Sequence, residues 1–221
     1  MVIPALEATE LEIVEAEEQR VVRFAQRPIT FAMFLELAGD CHIELVDGVM
    51  VEKMAVQLEH EKLFAWLFHL SGLYVEERDL GIIPGSRTAV EISAFRGRLP
   101  DLLFVRRERL HIVQQKAISG APDLVIELIS PHDRPSDIIA LETDYRAIGV
   151  PEIVFIDQQK QRVRVLHKRD TAYEETELTA DLLRFESLEG FALPVEWLFQ
   201  DPRPTVRATL TELLPNAPAT P

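Results

Sequence analysis

The chain predicts an α/β protein built on a mixed β-sheet flanked by helices, and three stretches carry that expectation. Ile43-Glu44-Leu45-Val46 and Val49-Met50-Val51 are β-prone runs joined by Asp47-Gly48, the dipeptide that best suits a two-residue type I′ turn. From about Gln57 to Arg78, Leu63, Trp66, Leu67, Leu70 and Tyr74 recur at spacings of three and four, which predicts an amphipathic helix lying on a sheet. Asp123 to Ile129 is a nearly continuous apolar run, as expected of a central strand covered on both faces.

Each remaining element follows from local chemistry. Thr30 can cap a short helix through Leu37. Ile82-Ile83 and Ala89 to Ile92 read as short strands around Pro84-Gly85, followed by an Arg-flanked strand from Asp101 to Val105. Ser136 or Asp137 can open a helix that reaches Ile148 and stops at Gly149 and Pro151. Ile153 to Ile156 then returns as a buried strand, giving a strand-helix-strand unit whose two strands are expected to be parallel, with a right-handed crossover. Arg162 to His167 supplies one more strand. With 221 residues and 47% hydrophobic content, one well-sized core is expected. Its bounds fall at residues 28–200, between an acidic extension over 1–27 and a tail over 201–221 expected to be mobile, with at most one short helix.

Composition narrows the function classes. Cys41 is the single cysteine, which excludes a disulfide framework and agrees with a cytoplasmic setting. No segment approaches the roughly 18 apolar residues of a membrane span, and no signal-peptide pattern opens the chain. A net charge of −14 works against binding a polyanion over the whole surface. Charge placement offsets this locally: Glu7, Glu10, Glu12, Glu15, Glu17 and Glu18 gather near the N-terminus, whereas Arg96, Arg98, Arg106, Arg107 and Arg109 cluster elsewhere. Arg96 and Arg98 are the candidate phosphate contacts. Gly-rich nucleotide loops are absent, and 7% aromatic content with no cluster near the candidate acids opposes a sugar-cleaving carboxylate pair.

Two acids stand out by position: Asp101, opening an apolar strand after Pro100, and Glu127, inside another. A carboxylate in a buried run costs several kcal/mol unless paired, protonated or bound to a cation. A structural ion pair with an arginine, or a half-exposed strand end, would also account for Glu127. For Asp101 the alternative is a Pro-Asp turn. Together they could form half of a hard-cation site, with the carbonyl of Leu128 as a third oxygen; Mg²⁺ commonly uses one or two carboxylates, several waters and substrate phosphate. Phosphodiester hydrolysis is the chemistry that follows. His60 and His69, nine apart on one helix, do not match the four-residue spacing of paired zinc ligands and are expected to be structural or at the surface.

Over residues 28–200 the chain resembles the bacterial putative restriction endonuclease family of the PD-(D/E)xK nuclease superfamily. The resemblance rests on Glu44-Leu45-Val46-Asp47-Gly48, on His60, on Arg98-Leu99-Pro100-Asp101-Leu102, on Pro122 through Pro131, on Asp137 with Tyr145, on Gly149-Val150-Pro151-Glu152 leading to Asp157, and on Leu188-Glu189-Gly190-Phe191 followed by Leu198-Phe199. It implies a restriction endonuclease-like core, a Mg²⁺-dependent DNA endonuclease activity with Mn²⁺ as a substitute, and a homodimer. Asp101 and Glu127 match the metal-binding acids, and Glu44 is the third active-site acid that the resemblance implies; as a residue at a hairpin edge it could equally be a cross-strand charge partner. The superfamily's lysine is missing: two after Glu127 stands Ile129, and midway between Asp137 and Tyr145, where this family supplies the lysine, stands Leu141. That departure raises the rival expectation of an inactive nuclease fold kept as a binding or assembly module.

Overall fold

The computed structural model describes residues 11–16, 19–24, 27–39, 42–52, 57–131 and 133–214. Cys41 and the acidic residues Glu7, Glu10, Glu17 and Glu18 lie outside them. In chain order the strands are β1 (Leu11–Ala16), β2 (Gln19–Phe24), β3 (Ile43–Val46), β4 (Val49–Glu52), β5 (Gly81–Ile82), β6 (Ala89–Ser93), β7 (Arg96–Arg98), β8 (Leu102–Arg106), β9 (Ala117–Ile118), β10 (Leu124–Ile129), β11 (Glu152–Asp157), β12 (Arg162–Arg169), β13 (Ala172–Leu178), β14 (Leu182–Arg184) and β15 (Ala192–Pro194). The helices are α1 (Phe31–Leu37), α2 (Leu58–Glu77), α3 (Pro135–Ile148), α4 (Val195–Phe199) and α5 (Val206–Leu213).

The chain forms two compact units. The first comprises Met1–Ala55, Arg87–Leu99 and Val113–Gly120, and the second Val56–Ser86, Pro100–Ile112 and Ala121–Pro221. In the first, a seven-stranded sheet runs in the order β1-β2-β4-β3-β7-β6-β9. The β3–β4 hairpin forms at Asp47-Gly48, and both turn residues take positive φ, 49° and 76°, the signature of the predicted turn. A Cβ at position 48 would fall 2.4 Å from that of Pro28, so glycine is required by space as well as by backbone angle. Thr30 caps α1 by accepting from the Met33 amide, and Ile29, Phe31, Phe34 and Leu45 form the core. Strands β1 and β2, within the stretch expected to be an acidic extension, form a hairpin whose β2 pairs with β4.

The second unit holds the expected mixed sheet, with six strands in the order β13-β12-β11-β10-β8-β5. Strands β10 and β11 are parallel, as the strand-helix-strand pattern predicts, and each pairs antiparallel with its other neighbour. The stripe of α2 is buried throughout and packs on Leu102, Phe104, Ile126, Leu128, Val154 and Ile156 from one face of this sheet. Helix α3 starts with Pro135 in its first turn and ends at Gly149, which adopts the left-handed conformation (φ 78°) of a C-terminal cap. In the tail, α5 docks on the core: Val206, Leu210 and Leu213 pack against it, and the indole N–H of Trp66 donates to the Pro204 carbonyl at 2.7 Å. The apolar side of the predicted short helix thus draws the tail onto α2. Among the described residues, no helix is long and apolar enough to cross a membrane.

Candidate active site

Antiparallel pairing of β8 with β10 ends where Leu102 faces Ile126, and Asp101 and Glu127 are the residues just beyond that rung on each side. Two residues distant in sequence thus meet at the end of the sheet where β8 begins and β10 finishes. The Leu128 amide donates to Oδ2 of Asp101 at 2.8 Å, fixing the carboxylate against the strand. Glu127 is only 3% exposed and accepts a short hydrogen bond from the hydroxyl of Tyr145, itself fully buried on α3. Leu141, one turn earlier on α3, is half-buried and carries no charge toward this face.

The structure adds His60, which the sequence reading set aside as structural or surface. Its Nε2 lies 3.6 Å from Asp101 Oδ2, and the residue is 7% exposed. Burial works against protonating the ring, but the hydrogen bond to Asp101, the charges of Asp101 and Glu61, and the Leu128 backbone outweigh it, so the pKa stands above its ordinary value of 6.5. Nδ1 is buried with no hydrogen-bond partner among the described residues. The sequence did hold a signal: His60 lies three before Leu63 and seven before Leu67, in phase with the buried stripe, whereas His69 is out of phase and exposed.

Glu44 belongs to the first unit, and there its cross-strand role is explicit. Arg98 Nη1 donates to its Oε2 at 2.8 Å and the Leu99 amide to its Oε1 at 3.2 Å, with both side chains buried. Arg98, expected as a phosphate contact, is 6% exposed and pairs with Glu44. Arg96 donates to Asp47 at 2.7 Å. In the second unit Arg109 binds Asp123 at 2.7 Å, Arg106 lies 3.5 Å from the same acid, and Arg107 pairs with Asp79. Each of these five arginines lies beside a carboxylate, Arg106 and Arg109 sharing Asp123.

Among the described residues, no group of three or more His, Cys, Asp or Glu side chains is arranged to hold a metal ion. The oxygen donors at hand are Asp101, Glu127 and the Leu128 backbone. They suit a hard cation that keeps several waters and borrows substrate oxygens, and do not suit a soft or fully protein-caged one.

Comparison with known proteins adds a family and a fold. Residues 31–196 match the profile of a family described as "Uma2: Putative restriction endonuclease". A solved structure similar to this one is that of a putative nuclease belonging to DUF820 from Anabaena variabilis ATCC 29413. It superposes with a TM-score of 0.64 over 78% of this chain and 98% of that one, at 19% identity, so the likeness is one of fold. No curated protein sequence matches the chain.

Proposed function

The chain belongs to the family of putative restriction endonucleases matched over residues 31–196, and on that premise we propose that it is a cytoplasmic, Mg²⁺-dependent endonuclease that hydrolyses phosphodiester bonds in DNA. The observation that carries this is the approach of Asp101, just before β8, to the end of β10 that carries Glu127, where the Leu128 amide donates to its carboxylate. Asp101, Glu127 and the Leu128 carbonyl would hold the cation, with Mn²⁺ able to substitute. Bound there, it would neutralise charge on the scissile phosphate and make a water a better nucleophile.

The chain's own residues do the positioning. The Leu128 amide and His60 fix the direction of the Asp101 carboxylate, and Tyr145 fixes that of Glu127. Glu44 has a supporting role through the Leu99 amide, two residues before Asp101 in the chain. Leu141 leaves the face beside Tyr145 without the lysine that the family resemblance leads one to expect, which lowers the rate; loss of an electrostatic group commonly costs about 10² to 10⁴. Leu141 and the matched arginines together favour a second proposal, a nuclease fold retained for binding or assembly. Cutting both strands calls for a second copy, and light scattering on the purified protein tests for a homodimer.

Supercoiled plasmid incubated with Mg²⁺ or Mn²⁺ decides between the two. Metal-dependent nicking by the wild type, lost in Asp101→Ala, supports the enzyme. Silence in the wild type with activity in Leu141→Lys indicates a site lacking one cation. Silence in all the folded proteins would favour the binding module.

A further inference from the structure

Helix α2 opens at Leu58, and its first turn carries Glu59, His60 and Glu61. His60 is in phase with Leu63 and Leu67, which pack on the sheet, so its ring turns inward while both glutamates stay exposed. Two contacts place that ring at the candidate site. Nε2 faces Oδ2 of Asp101 at 3.6 Å, and the Leu128 backbone lies within hydrogen-bonding reach of the same imidazole. Since the Leu128 amide also donates to Asp101, the imidazole, the carboxylate and the main chain at Leu128 converge on one point.

Neither ring nitrogen is well satisfied there. At 3.6 Å, Nε2 is too far from Asp101 for a hydrogen bond of good geometry, which closes to about 3 Å. Nδ1 is buried without a hydrogen-bond partner among the described residues, and the carboxylate of Glu61 stands 3.6 Å from it. A side chain only 7% exposed and kept for packing alone would do better as an apolar one. The spacing at Nε2 has another meaning. Two ligands held about 2.1 Å from one cation stand about 3 to 3.5 Å apart at the angles of six-coordination, which the observed separation approaches. With its proton on Nδ1, toward Glu61, the ring offers the Nε2 lone pair on the side of Asp101, the arrangement in which a carboxylate orients a metal-bound imidazole.

We infer that His60 is a nitrogen ligand of the cation held at Asp101 and the Leu128 carbonyl, and that it biases the site toward Mn²⁺ over Mg²⁺. Mg²⁺ prefers oxygen donors and keeps its waters, so it leaves the imidazole in contact with a bound water, whereas Mn²⁺ accepts nitrogen directly. The inference rests on the metal site of the nuclease reading and deepens it by naming a further ligand and the metal that this ligand favours. Two side chains and one carbonyl leave the remaining positions to water and substrate oxygens.

The test uses the full chain with the metal alone. Calorimetric titration is expected to show Mn²⁺ binding at least about tenfold more tightly than Mg²⁺, with His60→Gln losing at least about tenfold in Mn²⁺ affinity and changing little for Mg²⁺. His69→Gln, on the exposed side of the same helix, is expected to match the wild type. Pulsed EPR of the Mn²⁺-loaded wild type reads the ligand without any variant: nitrogen modulation from a coordinated imidazole is expected, and its pattern is expected to change in protein labelled with ¹⁵N-histidine. Mn²⁺ bound without nitrogen modulation, or with modulation that persists in His60→Gln, would overturn the inference. If Asp101→Ala still abolished binding in that case, the metal site itself would stand. No binding of either metal by the wild type would overturn both.

Discussion

The six-stranded sheet carries buried acids at both ends of its parallel pair, and the two ends hold them differently. At the start of β10 and β11 stand Asp123 and Glu152, 3% and 1% exposed. Asp123 accepts from the Arg106 amide at 2.9 Å and from Arg109 at 2.7 Å. Glu152 accepts from the amides of Glu186 and Ser187 at 3.1 and 2.8 Å, and His167 lies 3.0 Å away. These acids tie loops and neighbouring strands to the sheet. At the other end, Glu127 is as deeply buried, but its bond is from the Tyr145 hydroxyl, and Asp101 is held by one amide and an imidazole. Burial of a carboxylate does not therefore identify a chemical site. What separates the ends is the kind of donor at each: backbone amides of loops and strands with Arg109 or His167 at Asp123 and Glu152, a helix-borne hydroxyl at Glu127, and an amide with a helix-borne imidazole at Asp101.

The sharpest test of that contrast is Asp101→Ala, expected to reduce metal-dependent nicking by about 10² to 10⁴ while costing about 1 kcal/mol of stability for the Leu128 amide left without its acceptor, less than Glu152→Ala. A large loss of stability in this variant would break the comparison. Glu152→Ala is next and should do the reverse. Removing the acceptor of two amides and the partner of His167 is expected to cost about 3 kcal/mol in equilibrium unfolding, because buried donors are left without an acceptor. Tyr145→Phe keeps the ring and deletes one hydrogen bond to Glu127, so a loss of about 1 kcal/mol is expected, with a drop in activity larger than that stability change accounts for.

The smallest effect is pH-dependent. The hydrogen bond to Glu152 leads in raising the His167 pKa above 6.5; burial opposes it, and the charges of Glu152 and Glu186 add to it. The native state thus binds this proton more tightly than the unfolded chain. The stabilisation is complete below the unfolded pKa and is lost as pH rises through the native one. His167→Gln should accordingly cost up to about 1 kcal/mol at pH 5.5 and distinctly less at pH 8.5. Equal costs at the two pH values would show that the imidazole acts by packing alone.

Much of this was legible before any coordinates. The Asp47-Gly48 turn, the stripe of α2, the end of α3 at Gly149 and the parallel return of β11 depend on neighbours near in the chain, where turn chemistry, periodicity and the crossover rule act directly. Asp101 and Glu127 stood out as candidates because each acid interrupts or opens an apolar run, and such positions need a reason. The tertiary structure decided what lay beyond that range. It engaged Arg98 with Glu44, 54 positions apart, in a buried ion pair. It brought His60 to Asp101 across the junction of α2 and the sheet. Periodicity reports which face of an element is buried, and local chemistry reports where the element stops. Neither reports which distant charge will be waiting on that face, because that depends on the register between strands and is fixed only when the whole sheet forms.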